Sequence, residues 1–265
     1  MRIALLQQDI FWADVEANHL SAEQAILRLQ ASSDSPDVYV LPEMWSTGYA
    51  PDPERIAEAD GRSLLWMRRM AELTDAAIVG SVSTAEGGRF FNRLHFVTPS
   101  GSPSVSYDKR HLFTYCGEHL RYTPGEQRVI VKWRGVRFLL QICYDLRFPV
   151  FSRNCDDYDA IIFVASWPAS RRAVWDILLK ARAIENQCYV LAVNRVGSDP
   201  ACRYDGGTTA IDPYGRTLAI CPDNTPSSVV VDLNLDSLNR FREKFPVLRD
   251  RDQCRLTTAQ TSHPS

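Results

Sequence analysis

A thiol, a carboxylate and an amine occupy the same kind of place in this sequence. Cys143 closes the apolar run at 138–142, Glu43 follows the run at 38–41, and Lys109 follows the shorter run at 105–107. Where a strand stops and the chain turns toward a helix, a cysteine is lifted out of the sheet. The N–H of the next residue, Tyr144, then points at whatever the sulfur attacks. That pairing of nucleophile and oxyanion donor is what acyl transfer requires. A free thiol, with a pKa of about 8.5, is little ionised at neutral pH. It needs a base, for which Glu43 is the candidate, and a nearby cation, for which Lys109 is the candidate. Each residue alone has a plain structural explanation, as a core cysteine, a surface lysine or an acid at a helix N-terminus. Three of them at strand carboxyl ends, where open α/β sheets assemble their sites, fit a site better than coincidence.

The elements that must position these groups alternate along the chain. Strand patterns fall at 2–8, 37–41, 76–83, 90–97, 104–107, 129–133, 136–142, 160–165, 189–193, 208–211 and 228–233. Helical patterns fall at 15–31, 62–73, 170–186 and 235–244, with a short helix after Cys143. The first helix carries Leu20, Ile26, Leu27 and Leu29 as its apolar residues. The longest carries Val174, Ile177, Leu178, Ala181 and Ile184 at helical spacing, and Pro246 halts the last. Arg134-Gly135 marks a hairpin. Alternating strands and helices predict an α/β layered domain, and the hairpins among the crossovers predict a mixed sheet. With no linker or repeat in evidence, 1–254 is expected to be a single domain and 255–265 a polar, disordered tail.

Composition narrows the classes of function. The 265 residues are 45% apolar and 23% charged, with a formal net charge of −2. That balance gives no electrostatic footprint for nucleic acid or an anionic membrane, and no apolar run approaches the roughly 20 residues that span a bilayer. The start of the chain alternates and turns acidic too early for a signal peptide, so a cytoplasmic protein is expected. Seven scattered cysteines, without a Cys-x-x-Cys pair, argue against a disulfide framework and a zinc ribbon. His111, Cys116 and His119 lack the further ligands of a closed metal site, so no metal and no cofactor are expected. A Cys–His dyad using His111 or His119 is the alternative on residue types alone.

Glu43, Lys109 and Cys143 in these contexts resemble the Glu–Lys–Cys triad of the nitrilase (carbon–nitrogen hydrolase) superfamily. The likeness runs from Ile3 to about Gln253. It includes Gly117-Glu118, Tyr122-Thr-Pro-Gly125, Lys180 to Tyr189, Asn194-Arg-Val-Gly197 and Arg242-Glu-Lys-Phe-Pro246. The resemblance implies a four-layer α-β-β-α sandwich, paired into a homodimer or higher oligomer. It implies a thioester mechanism in which Glu43 moves protons, Lys109 and the Tyr144 N–H hold the oxyanion, and Glu118 orients Lys109 or the substrate. Tyr144-Asp-Leu-Arg-Phe-Pro149 is similar to the amidase branches rather than to true nitrilases, which carry Trp-Glu after the cysteine. Val150 to Asn154, Trp167-Pro168 and Arg171-Arg172 look most like ω-amidases acting on 2-oxoglutaramate. One departure is Ser166, where asparagine would be expected. Trp167, Arg147, Arg171 and Arg172 are the candidate substrate-binding residues, the arginines for a carboxylate. The alternatives are a deaminated-glutathione amidase, a carbamoylase or nitrile hydrolase with the same triad, or a silent binding protein on the same scaffold.

Overall fold

The computed structural model describes residues 1–31, 35–50, 52–99 and 105–252. The expected tail at 255–265 lies outside the described residues. The first sheet contains β1 (Arg2–Gln7), β2 (Val38–Val40), β3 (Ala77–Glu86), β4 (Arg89–Val97) and β5 (Val105–Asp108). The second contains β6 (Ile130–Trp133), β7 (Val136–Ile142), β8 (Ala160–Ala165) and β9 (Tyr189–Asn194). A two-stranded hairpin, β10 (Val196–Ser198) and β11 (Arg203–Asp205), follows. Next, β12 (Thr209–Ile211) and β13 (Thr217–Ile220) complete the second sheet, and β14 (Ser227–Asp232) returns to the first. Both sheets have six strands, in the orders β14-β1-β2-β3-β4-β5 and β13-β12-β9-β8-β7-β6. Each has three parallel strands at its centre, β1–β3 in one and β7–β9 in the other, with antiparallel strands outside.

Period-two alternation explains how two sheets stack. Ile3, Leu5, Val38 and Val40 point inward and share a core with Phe138 and Leu140 of the second sheet, with the Phe96 and Phe138 rings 5.8 Å apart. Ala4, Leu6, Tyr39 and Leu41 point outward, under α1 (Val15–Gln30) and α2 (Arg62–Thr74). On the far side, Trp175, Leu179 and Ala183 of α4 (Arg172–Asn186) cover the second sheet. The short α3 (Pro149–Ser152) follows Cys143, and α5 (Leu235–Lys244) closes the chain. The expected four-layer α-β-β-α sandwich is thus observed, with mixed sheets. Arg242 on α5 fastens the last helix down through Asp159, the Tyr158 carbonyl and the Gln187 carbonyl. No described helix is long and apolar enough to cross a membrane.

Two helices bury a different stripe from the one their apolar residues mark. In α1 the buried residues are Val15, Asn18, Ala22 and Ile26, while Leu20 and Leu27 are exposed. Asn18 is tolerated inside because its amide bonds Phe11 at both ends and the Ser46 carbonyl. In α4 the buried face is Trp175, Leu179, Arg182, Ala183 and Asn186, and Ile177 and Ile184 are 67% and 54% exposed. Arg182 and Asn186 face inward because each has fixed partners: the Leu146 carbonyl for Arg182, and the Asn154 N–H for Asn186.

Candidate active site

Each of the three groups sits just beyond a strand. Pro42 and Glu43 follow β2, Lys109 follows β5, and Cys143 begins the 3-10 turn Cys143–Arg147 after β7. Cys143 has φ of 44°, in the left-handed region that non-glycine residues avoid. That backbone twist turns the thiol out of the sheet. Tyr144, second in the turn, has an amide that no intrahelical carbonyl can reach, as at any helix start.

Asp145 holds the turn in shape and ties it to the lysine loop. Its Oδ2 accepts from the Ile142 N–H at 2.9 Å and the Tyr107 hydroxyl at 2.7 Å. Its Oδ1 accepts from the His111 N–H at 3.0 Å and His111 Nδ1 at 2.7 Å. The His111 ring lies flat on Phe148, 3.8 Å away. His111 is therefore committed to Asp145, His119 is exposed, and Cys116 pairs with the Tyr49 hydroxyl. Gly125 braces the lysine loop from the other side, its N–H donating to the Lys109 carbonyl at 2.9 Å. A Cβ at Gly125 would lie 2.1 Å from the Asp108 carbonyl oxygen, so only glycine fits there.

The charges converge in a water-poor space. Lys109 Nζ lies 2.9 Å from Glu43 Oε1 and 3.0 Å from Glu118 Oε2, and none of the three side chains is more than 1% exposed. Glu118 is anchored further by the Phe113 N–H at 2.6 Å. Glu43 Oε2 accepts from the Ser166 N–H at 2.8 Å, and the Ser166 hydroxyl donates to the Glu43 carbonyl at 3.2 Å. At position 166, then, it is the main chain that grips the acid. Burial lowers the affinity of Lys109 for its proton, but the two carboxylates outweigh it and hold the ammonium charged well above its usual range. Burial also pushes Glu118 upward, against the pull of Lys109. Burial pushes the Cys143 thiol well up, the Glu43 charge adds to this, and Lys109 opposes it. Burial thus favours the thiol over the thiolate, and attack by the sulfur calls for a base to take its proton.

Glu43, Lys109 and Cys143 open onto one cavity of about 810 Å³, lined also by Tyr144, Arg147, Ser166, Trp167 and Arg171. Trp167 is pinned by Asn194, whose Oδ1 accepts from its N–H at 2.7 Å and whose Nδ2 donates to its carbonyl at 3.0 Å. The Arg147 guanidinium lies over the Trp167 ring at 5.3 Å. Arg171 lies over Phe113 and Tyr115 at 5.3 and 5.0 Å. Neither arginine has a carboxylate partner among the described residues. Arg172 is different. It is absent from the cavity lining and is held by Asp176 and Asp223 at 2.9 Å each, with Asp205 at 3.6 Å. Asn92 is a member of the site that the sequence reading misses: this buried strand residue donates to Glu43 Oε1 at 2.7 Å and Glu118 Oε1 at 3.3 Å. An asparagine inside an aromatic-rich strand, where it is disfavoured, is the signal that could have found it.

The carbon-nitrogen hydrolase family description matches residues 2–243. The chain belongs to that family. Among relatives, the omega-amidase YafV of Escherichia coli strain K12 is 42% identical over 257 residues, covering 97% of this chain and 98% of its own. The 2-oxoglutaramate amidase of Bacillus subtilis strain 168 is 36% identical over 253 residues, covering 94% and 96%. In structure, the superfamily protein XC1258 of Xanthomonas campestris, solved with an arsenic adduct in its active site, superposes with a TM-score of 0.92 at 37% identity, covering 97% of this chain and 99% of that one. Family membership makes this chain a hydrolase of carbon–nitrogen bonds.

Proposed function

We propose that the protein is an ω-amidase, hydrolysing the terminal amide of a small molecule with a carboxylate at its far end, of the 2-oxoglutaramate kind. The carrying observation is the shared cavity, with the thiol, acid and ammonium at one place and two uncommitted arginines, Arg147 and Arg171, lining the same space. The similarity to proteins named omega-amidase and 2-oxoglutaramate amidase supports this reading.

In this mechanism the Cys143 sulfur adds to the amide carbon while its proton passes to Glu43. The carbonyl oxygen becomes an oxyanion held by Lys109 Nζ and the Tyr144 N–H, each such donor contributing roughly 3–4 kcal/mol to the transition state. Glu43 returns the proton to the departing nitrogen, and ammonia leaves a thioester on Cys143. Glu43 then takes a proton from water, whose oxygen adds to the thioester. Collapse releases the acid, and the sulfur leaves carrying the proton back from Glu43. Glu118, bonded to Lys109 by both oxygens, keeps the ammonium aimed. Trp167 forms the wall on which Arg147 is held.

The arginine clamp has a direct test. Arg147 and Arg171 are half-buried, and a guanidinium that the bound substrate covers without supplying its anion costs more than a missing hydrogen bond between neutral groups. Methylating the distal carboxylate of 2-oxoglutaramate should therefore lower kcat/KM by about 10²-fold or more. Equal specificity constants for acid and ester in steady-state kinetics would remove the clamp and leave a generic aliphatic amidase.

We further propose a homodimer and a cytoplasmic location. Free thiols at all six described cysteines suit a reducing compartment. For the dimer, Ile177 and Ile184 of α4, Tyr214 and Phe245 are each more than half exposed. Ile184 lies against Gly215, the Tyr214 and Phe241 rings are 3.9 Å apart and tilted, and Phe241 lies 6.4 Å from Phe245, so these residues neighbour one another. A second copy would cover this face isologously. Light scattering after size exclusion should give twice the chain mass for the parent and the monomer mass for Ile177→Asp/Ile184→Asp. A dimer unchanged by the double substitution would place the interface elsewhere.

A further inference from the structure

Two side chains bridge the buried acids. One is Lys109. The other is Asn92 on β4, which carries no charge and yet contacts every other member of the cluster. Its Nδ2 donates to Glu43 Oε1 at 2.7 Å and to Glu118 Oε1 at 3.3 Å, and its backbone carbonyl accepts from the Lys109 N–H at 2.9 Å. The amide cannot be reversed, because Oδ1 would then face two carboxylate oxygens. In the only tolerable orientation Oδ1 is buried with no hydrogen-bond partner. A residue kept for packing alone would not leave a polar atom stranded in this way.

Counting lone pairs on Glu43 shows what the amide does. Oε1 receives Lys109 Nζ at 2.9 Å and Asn92 Nδ2 at 2.7 Å, so both of its acceptor positions are filled by donors that cannot accept. Oε2 receives the Ser166 N–H at 2.8 Å, and the Cys143 thiol is placed against the same carboxylate, so Oε2 is the oxygen left to take its proton. We propose, resting on the amidase reading above, that Asn92 is a positioning residue that confines the shuttled proton to Glu43 Oε2. Without Asn92 the Oε1 position reopens. The acid can then take its proton on the side bonded to Lys109, away from the leaving group. Asn92 thus acts through Glu43 and does not touch the substrate.

The test compares Asn92→Leu and Asn92→Ala with the parent on two substrates of one acyl type: an ω-amide, 2-oxoglutaramate, and an activated ester, the mono-p-nitrophenyl ester of glutarate. The ester's leaving group needs no proton, so it depends on Glu43 as base only, whereas the amide depends on it as base and acid. Asn92→Leu should lower kcat for the amide by roughly 10–100-fold with KM within about threefold. Its loss on the ester should be at least several-fold smaller. Asn92→Ala leaves room for a water that can donate to Oε1, so it should retain more amide activity than Asn92→Leu. A merely structural asparagine predicts the reverse order, since alanine leaves the larger void, and equal losses on both substrates. Either of those results overturns the proposal. An unimpaired Asn92→Leu does so too, and so does one that fails to fold while Asn92→Ala matches the parent on both substrates. If the parent itself left 2-oxoglutaramate unhydrolysed while cleaving the ester, the substrate reading would fail, and the Asn92 comparison would be run on an amide the parent accepts.

Discussion

Cys143→Ala is expected to remove amide turnover, by on the order of 10⁴-fold or more, while the fold stays in place. Among the described cysteines lining the cavity, Cys143 is the one placed against both Glu43 and Lys109, the base and the cation of the proposed mechanism. Cys116 and Cys202 also line the space. Cys116, however, is engaged with the Tyr49 hydroxyl and the Phe113 carbonyl, and Cys202 sits in the turn held by Asp199, so neither is placed with Glu43 and Lys109. Neither can substitute. Mass spectrometry should find the acyl group of a slow substrate on the peptide containing Cys143 in the parent and nowhere in the variant. Ammonia release by Cys143→Ala at more than about a hundredth of the parent rate would mean that the nucleophile lies elsewhere.

Lys109→Met should cost activity and stability together, which separates it from a residue that acts only on the substrate. Among the described residues its ammonium is the only cation bonded to two carboxylates that are essentially unexposed. Removing one partner of such a cluster leaves uncompensated charge and typically costs about 3–5 kcal/mol. For a chain of this size that corresponds to a fall in Tm of roughly 10 °C. The sign of the pH response follows from Glu118, which burial already pushes upward in the parent. An acid held above its unfolded value binds its proton preferentially when folded, so the variant's lost stability should return as pH falls and worsen as pH rises. Adding Glu118→Gln should restore much of the Tm but none of the turnover. Lys109→Arg keeps the charge on a wider, planar head and should fold better than the methionine variant yet remain orders of magnitude slower. Unchanged melting for Lys109→Met would contradict a cluster held together by this charge. A lysine adduct trapped by borohydride would instead point to a Schiff base.

The sequence carried the triad because its members lie at strand ends, and strands of buried valine, leucine and isoleucine are conspicuous. It carried the layers for the same reason. What it concealed were places where a polar side chain has a designated partner inside. Asn18, Arg182 and Asn186 occupy core faces and so displaced the expected stripes of α1 and α4. The hairpin β10–β11 is built from Val-Gly-Ser and Arg-Tyr-Asp, whose mixed polarity has no period to detect. Among the arginines, type alone could not separate Arg147 and Arg171, which line the cavity, from Arg172, which three aspartates surround. The roles of Asn92 and Asp145 depend on strands distant in the chain: an asparagine in an aromatic strand marks a residue worth noting, but not its partners.

The left-handed backbone at Cys143 has a bearing on how this protein can change over time. Any residue with a Cβ pays about 1–2 kcal/mol to stand there, and glycine would not. Random drift at position 143 is therefore pushed toward a more stable chain that cannot react. The packing of the sulfur offsets part of that gain, since Cys143 is buried and belongs to the core between the sheets. On the proposed mechanism, selection for the reaction supplies the rest of what keeps a cysteine at this corner.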